Sequence, residues 1–149
     1  DMTQYDCRET YTTSYNFSMA DFQAALGRSQ LKRLDSFIKK RREIAERYDK
    51  VLCGVGRSPK GPEGEIIFRY VIEVECPEMF IEKMGALGVA CAKPVFRPLH
   101  RYLGLDDKNF PNTSRAHSRA VSIPIYPSMT EEEIRKVEGT LKSVLGASG

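Results

Sequence analysis

Apolar positions fall at three- and four-residue steps through the first third of the chain: Leu31, Leu34, Phe37, Ile38, Ile44, Ala45, Tyr48, Val51 and Leu52. That spacing predicts an amphipathic helix with one apolar stripe that needs a partner surface. The helix is expected over residues 18–52, with the Ser18 hydroxyl as its cap and Asp21 as the capping-box carboxylate near the positive end of the dipole. Gly27 marks a bend.

The period then changes from helical to alternating. Gly and Pro make residues 54–65 an exposed loop, and "IIFRYVIEVE" follows, with Ile66, Phe68, Tyr70, Ile72 and Val74 on one side and Arg69, Glu73 and Glu75 on the other. This reads as a half-buried strand. After Pro77 a short helix carries Met79, Phe80, Met84 and Leu87 and stops at Gly88. A second strand is expected over residues 89–96, where Pro94 makes it an edge or ends it. Residues 99–105 suit one short helix, "DDKNFPNTS" a loop, and "AVSIPIYP" a third strand. Thr130 and Glu133 form a Thr-x-x-Glu box ahead of a last helix, whose inner face is Ile134, Val137, Leu141, Val144 and Leu145. Helix, strand, helix, strand, helix is best built as a small sheet with helices packed on one side, an α+β fold.

Composition narrows the classes. The 149 residues are 41% hydrophobic, enough for one domain core. The net charge of +3 calls for neither nucleic acid nor membrane. Between Arg28 and Lys50 nine basic residues face four acidic ones, yet Asp35 with Lys39, Lys39 with Glu43 and Arg42 with Glu46 stand four apart, as in a solvated helix face of mixed sign. Cys7, Cys53, Cys76 and Cys91 form no metal or redox motif and read as reduced thiols of a cytoplasmic protein. No apolar run is long enough to span a membrane. The chain opens on Asp1 rather than Met and looks cut from something longer, or processed. His100 and His117 have no triad spacing around them, there is no P-loop or His-Glu-x-x-His, and neither Lys60 nor Lys93 has a visible cause for the depressed pKa of a Schiff-base lysine.

Longer motifs carry more. "YNFSMADFQAALGRSQLKRLDSFIKKRREIAERYD", "RYVIEV", "KPVFRPLH" and "NFPNTSRAHSRAVSIPIYPSMTEEEI" occur in that order, and together they resemble the C-terminal portion of the DegT/DnrJ/EryC1/StrS family of pyridoxal-phosphate-dependent sugar aminotransferases. The resemblance runs over residues 15–145. It implies the small C-terminal domain of the fold type I enzymes, with a small, mainly antiparallel sheet and a long N-terminal helix. Residues 1–17 would be an interface and active-site segment at the junction with a large domain, and residues 18–149 the small domain.

The same resemblance implies dimers with the active site at the subunit interface. Asn16 would reach the phosphate of the partner subunit's pyridoxal 5'-phosphate, with Tyr15 and Phe17 packed around it. Tyr15, Lys93, Arg97 and His100 would lie near the substrate, Lys93 standing in for an Arg of the family turn. Ser18 stands where many members have Arg, and Phe68 where many have His near the sugar nucleotide. The catalytic lysine belongs to the large domain, so no catalytic residue and no tight cofactor binding are expected in this chain alone. As part of a full enzyme it would move an amino group from a donor such as glutamate to a keto-sugar nucleotide. The alternatives are a non-catalytic dimerisation module derived from the family and a phosphate- or nucleic-acid-binding module using the basic helix.

Overall fold

The computed structural model describes residues 18–52 and 66–146. Tyr15, Asn16 and Phe17, together with the loop around Lys60, lie outside the described residues. The chain divides into two compact units, Asp1–Leu34 and Asp35–Gly149.

In the first unit, helix α1 spans Asp21–Leu31. Its cap is Ala20 rather than Ser18, because the Gln23 side chain reaches back to accept the Ala20 amide proton at 2.9 Å. Gly27 sits inside this helix without ending it. The break comes at Lys32 and Arg33, so the expected long helix is two helices. Met19, Phe22, Leu26 and Leu31 are all exposed.

Helix α2, Leu34–Leu52, carries the predicted stripe, and Ile44, Ala45, Tyr48 and Leu52 of it are buried. The second unit continues with strand β1 (Tyr70–Glu73), helix α3 (Pro77–Ala86), helix α4 (Leu99–Tyr102), helix α5 (Pro111–Arg119), strand β2 (Ala120–Ile123) and helix α6 (Glu131–Gly146). The two strands are antiparallel, with Tyr70 opposite Ile123 and Ile72 opposite Val121. These four are the buried positions, so one face of the ladder lies in the core. There Ile72, Val121 and Ile123 meet Tyr48 and Leu52 of α2, Phe80 and Met84 of α3, and Ile134, Val137 and Leu141 of α6.

The sheet is smaller than the hydrophobic pattern predicts. Ile66 and Phe68 are 59% and 70% exposed, and β1 begins only at Tyr70. One Arg41 Nη atom donates to the carbonyls of Ile67, Phe68 and Ile125, at 3.3, 2.8 and 2.9 Å. These backbone acceptors are satisfied by a guanidinium instead of a neighbouring strand. The expected second strand reduces to one bridge, in which Ala92 and Ser122 exchange amide bonds of 3.2 and 2.8 Å on the far edge of β2. Pro94 follows two residues later and cannot extend the ladder.

Helix ends follow their sequence signals where the signal is strong. At α6, Glu133 accepts from the Thr130 amide at 2.7 Å, and the Glu133 amide donates to the Thr130 hydroxyl at 3.2 Å, completing the box. At α3, Gly88 has φ +77°, while the Val89 amide returns to the Met84 carbonyl at 2.9 Å. That is a Schellman ending, whose apolar contact pairs two buried side chains, Met84 and Val89. Helix α5 falls where a loop is expected; Pro111 opens it at the first-turn position that suits proline.

Candidate functional site

The basic face of α2 is partly used inside the fold. Arg47 makes a fork to Glu138, Nε to Oε1 at 2.7 Å and Nη2 to Oε2 at 2.6 Å, and its Nη1 holds both oxygens of Glu131 at 2.8 and 2.9 Å. The hydrogen bonds it donates to these two carboxylates, Glu138 first, push the Arg47 pKa upward, and the same contact with Arg47 lowers that of Glu131. With Arg41 on carbonyls and Asp49 accepting from the Tyr70 hydroxyl at 2.7 Å, these side chains fix α2 against β1 and α6.

Lys93, Arg97 and His100 lie on one stretch of chain but do not share one surroundings. His100, on α4, is 4% exposed, and its Nε2 pairs with Asp107 Oδ1 at 2.7 Å. The Phe110 ring stacks on it, with centroids 4.8 Å apart. Arg101 grips the same carboxylate with Nε at 2.9 Å and Nη2 at 2.8 Å. Arg101 first, then His100, holds the Asp107 carboxyl well below the usual carboxylate range. The result is a pinned turn from α4 to α5. Sequence reasoning passes over Asp107 inside a loop; the signals available were Phe110-Pro111 and an acidic pair soon after a basic one.

Arg97 lies outside this knot. It is exposed, spends one donor on the Arg101 carbonyl at 2.9 Å and stands 5.2 Å from the centre of the Tyr102 ring. Around it Val95, Phe96, Leu99, Tyr102 and Leu103 are at least half exposed, Phe96 reaching 93%. His117 is half-buried on α5, with Nε2 at 3.4 Å from the Phe96 carbonyl. It lines a hollow of about 560 Å³ with Val95, Pro98 and Leu99.

Lys93 belongs to a different place. It pairs with Glu78 and lines an open cleft of about 670 Å³ together with Phe68, Arg69, Tyr126, Glu133 and Lys136. Phe68, one of the two departures from the family pattern, is exposed, with the guanidinium carbons of Arg41 and Arg69 at 5.7 and 5.8 Å from its ring centre. Ser18, the other, is exposed at the start of the described residues. Among the described residues there is no group of three His, Cys, Asp or Glu side chains able to hold a metal ion. Nor is any described helix long and apolar enough to cross a membrane.

The comparisons with known proteins agree with this architecture. The DegT/DnrJ/EryC1/StrS aminotransferase family matches residues 2–142. The spore coat polysaccharide biosynthesis protein SpsC of Bacillus subtilis is 29% identical over 92% of this chain and 39% of its own length. The dTDP-4-dehydro-2,3,6-trideoxy-D-glucose 4-aminotransferase of Saccharopolyspora spinosa is 34% identical over 78% of this chain and 32% of its own. In structure, the putative sugar aminotransferase Spr1654 of Streptococcus pneumoniae, in its PMP-form, superposes with a TM-score of 0.78 at 25% identity, covering 92% of this chain and 38% of that one. This chain thus spans about two fifths of the relatives it matches. With the family pattern running through nearly all of its residues, the chain belongs to the DegT/DnrJ/EryC1/StrS aminotransferase family.

Proposed function

We propose that the chain works as the C-terminal portion of a pyridoxal-phosphate-dependent aminotransferase that passes an amino group from an amino acid such as glutamate to a keto-sugar nucleotide. The observation that carries this reading is the near-complete match of this chain, in sequence and in fold, to only two fifths of its relatives. The described residues do not by themselves fit the cofactor. Of the polar groups lining the cleft, Lys93 is paired with Glu78, and Glu133 is committed to Thr130 and Tyr126. No reaction step is assigned to them. When bound in the whole enzyme, pyridoxal phosphate supplies the electron sink for amino transfer.

In this reading the chain's contribution is to close the site and join a homodimer. Asn16 donates its amide to the phosphate of the partner's cofactor, and Tyr15 packs beside it. A neutral donor adds a hydrogen bond there without a further buried charge. Lys93 and Arg97 face anionic parts of the substrate. His100, buried beneath Phe110, contributes by holding that turn in place through Asp107.

The test is reconstitution. The chain alone, given pyridoxal phosphate, glutamate and a keto-sugar nucleotide, is expected to show no amination. Addition of the complementary N-terminal portion is expected to produce turnover that Asn16→Ala weakens. Turnover by the isolated chain would overturn the reading, and so would a reconstituted dimer that binds cofactor yet is indifferent to Asn16. A stable dimer with neither cofactor nor turnover would favour the non-catalytic interaction module.

A further inference from the structure

The last residue of α5 carries an unused donor set. Arg119 Nε is buried without a hydrogen-bond partner, the one buried side-chain nitrogen or oxygen of which this holds among the described residues. Two carboxylates at the end of β1 stand near the guanidinium without closing on it: Glu73 Oε2 is 4.0 Å from Nε, and Glu75 Oε1 is 3.8 Å from Nη2. Hydrogen bonds from nitrogen to oxygen close at about 2.7–3.2 Å, so both contacts are ion pairs only. Arg47 and Arg101, by contrast, each lay a fork on a carboxylate at 2.6–2.9 Å. Arg119 lines a hollow of about 460 Å³ between the end of β1, the start of α3 and the end of α6. Its walls are apolar, with Phe80 and Val144 buried and Met79 and Leu145 partly open to the hollow. Lys83 completes the charged set, exposed and with no ion pair among the described residues.

Two cations and two carboxylates around an apolar hollow restrict what fits. A bare carboxylate would satisfy Arg119 but meet the like charges of Glu73 and Glu75, and a bare amine would meet those of Arg119 and Lys83. A neutral apolar molecule would leave the buried Nε unsatisfied. A zwitterion answers both signs at once. The hollow also falls within the usual range for small-molecule sites, about 300–1,000 Å³. We propose that it binds an apolar amino acid, with the carboxylate on the Arg119 guanidinium, the ammonium on Glu75 and the side chain against Met79, Phe80 and Leu145. The planar guanidinium matches a carboxylate through two parallel bonds. Glu75, its side chain 87% exposed, is free to move off Arg119 and turn to the ammonium. Glutamate, the donor in the reading above, would bring a further carboxylate beside Glu73 and Glu75 and is not expected to bind. None of these residues takes part in the aminotransferase reading, so the site stands or falls apart from it.

The test is a titration of the ¹⁵N-labelled chain with L-phenylalanine, with separate arms of phenylpropionate, phenylethylamine and L-glutamate. Phenylalanine is expected to give saturable shifts at the amides of Val74, Cys76, Phe80 and Leu145. Phenylpropionate, which lacks the ammonium, and phenylethylamine, which lacks the carboxylate, should each bind about tenfold more weakly, the loss of one charge-assisted contact. Glutamate should leave these amides unmoved. Arg119→Gln should weaken phenylalanine about tenfold. Glu75→Gln, at an exposed position, should weaken phenylalanine by a similar factor and leave phenylpropionate binding no weaker than before. Absence of saturable shifts at these amides overturns the proposal. So does phenylpropionate or phenylethylamine binding as tightly as phenylalanine, glutamate moving the same amides, or phenylalanine binding that ignores Glu75→Gln. Should Arg119→Gln lose its peak dispersion, the ligand arms and Glu75→Gln still decide the outcome.

Discussion

The centre of the second unit and its turn from Pro94 to Phe110 are held together by opposite means. At the centre, β1 and β2 place Tyr70, Ile72, Val121 and Ile123 against α2, α3 and α6, and the apolar side chains close over one another. In the turn one polar ring is inside and apolar side chains are outside: His100 is buried, with the exposed Asp107 carboxylate and the half-buried Arg101 at its edge, while Phe96, Leu99 and Leu103 are exposed. The first region earns its shape from burial of apolar area. The second keeps its shape through a few directional bonds, which fixes the backbone without consuming its apolar side chains. A segment built this way presents a preformed surface.

The comparison breaks first by mutation. Leu141→Ala, at a fully buried position, should cost about 2–5 kcal/mol in chemical denaturation. Leu103→Ala, at a position 65% exposed, should stay within about 0.5 kcal/mol. Equal losses at the two sites would mean that the turn is as tightly packed as the core. Gly88→Ala comes next. The left-handed φ of +77° makes an L-residue cost about 1–2 kcal/mol there. Displacing the Lys136 ammonium, the flexible end of its side chain, adds little. A thermal midpoint unchanged by Gly88→Ala would show that α3 does not need this ending. Smaller again is Arg47→Ala, expected to cost about 1 kcal/mol because its two carboxylate partners remain partly hydrated. If the loss instead matched that of Leu141→Ala, the clamp and not the apolar core would be what holds α2 to α6.

The same contrast explains what could be read from the sequence. The apolar stripe of α2, the inner face of α6 and its Thr-x-x-Glu cap were legible because one physical signal, apolar period or local capping chemistry, decides each. The length of β1 was not, because Ile66 and Phe68 continue the alternation while Arg41, more than twenty residues away, takes the carbonyls that a strand would have paired. The charges on α2 looked like a self-sufficient solvated face, yet Arg47 finds its carboxylates on α6. Within the candidate site, Lys93, Arg97 and His100 were found as residue types on one motif. Their separation into cleft, open turn and buried knot depends on partners distant in sequence or hidden in a loop, namely Glu78 and Asp107.

Acid should separate the two regions most cleanly, although with the smallest effect at neutral pH. The folded pKa of Asp107 lies below the value of about 3.9 that an unfolded Asp takes, because Arg101 and His100 favour its charged form. A depressed carboxylate contributes stability that is complete above the unfolded value and is lost as pH falls through the folded one. The turn should therefore stay ordered at pH 5 and loosen progressively below about pH 4, seen as faster amide exchange at Leu103 and Leu105 and a ¹³C titration of the Asp107 carboxyl with its midpoint below the ordinary range. The buried apolar cluster has no carboxylate to titrate. Glu131 and Glu133, also held low by their partners, extend the acid response to the first turn of α6 and its clamp on α2, and Glu78, held low by Lys93, extends it to the first turn of α3. Asp107→Asn should leave the core midpoint where it is and make the turn mobile at every pH. An Asp107 midpoint near 3.9, or a turn that keeps its protection in the Asn variant, would show that stacking by Phe110 rather than the charge on Asp107 is what pins His100.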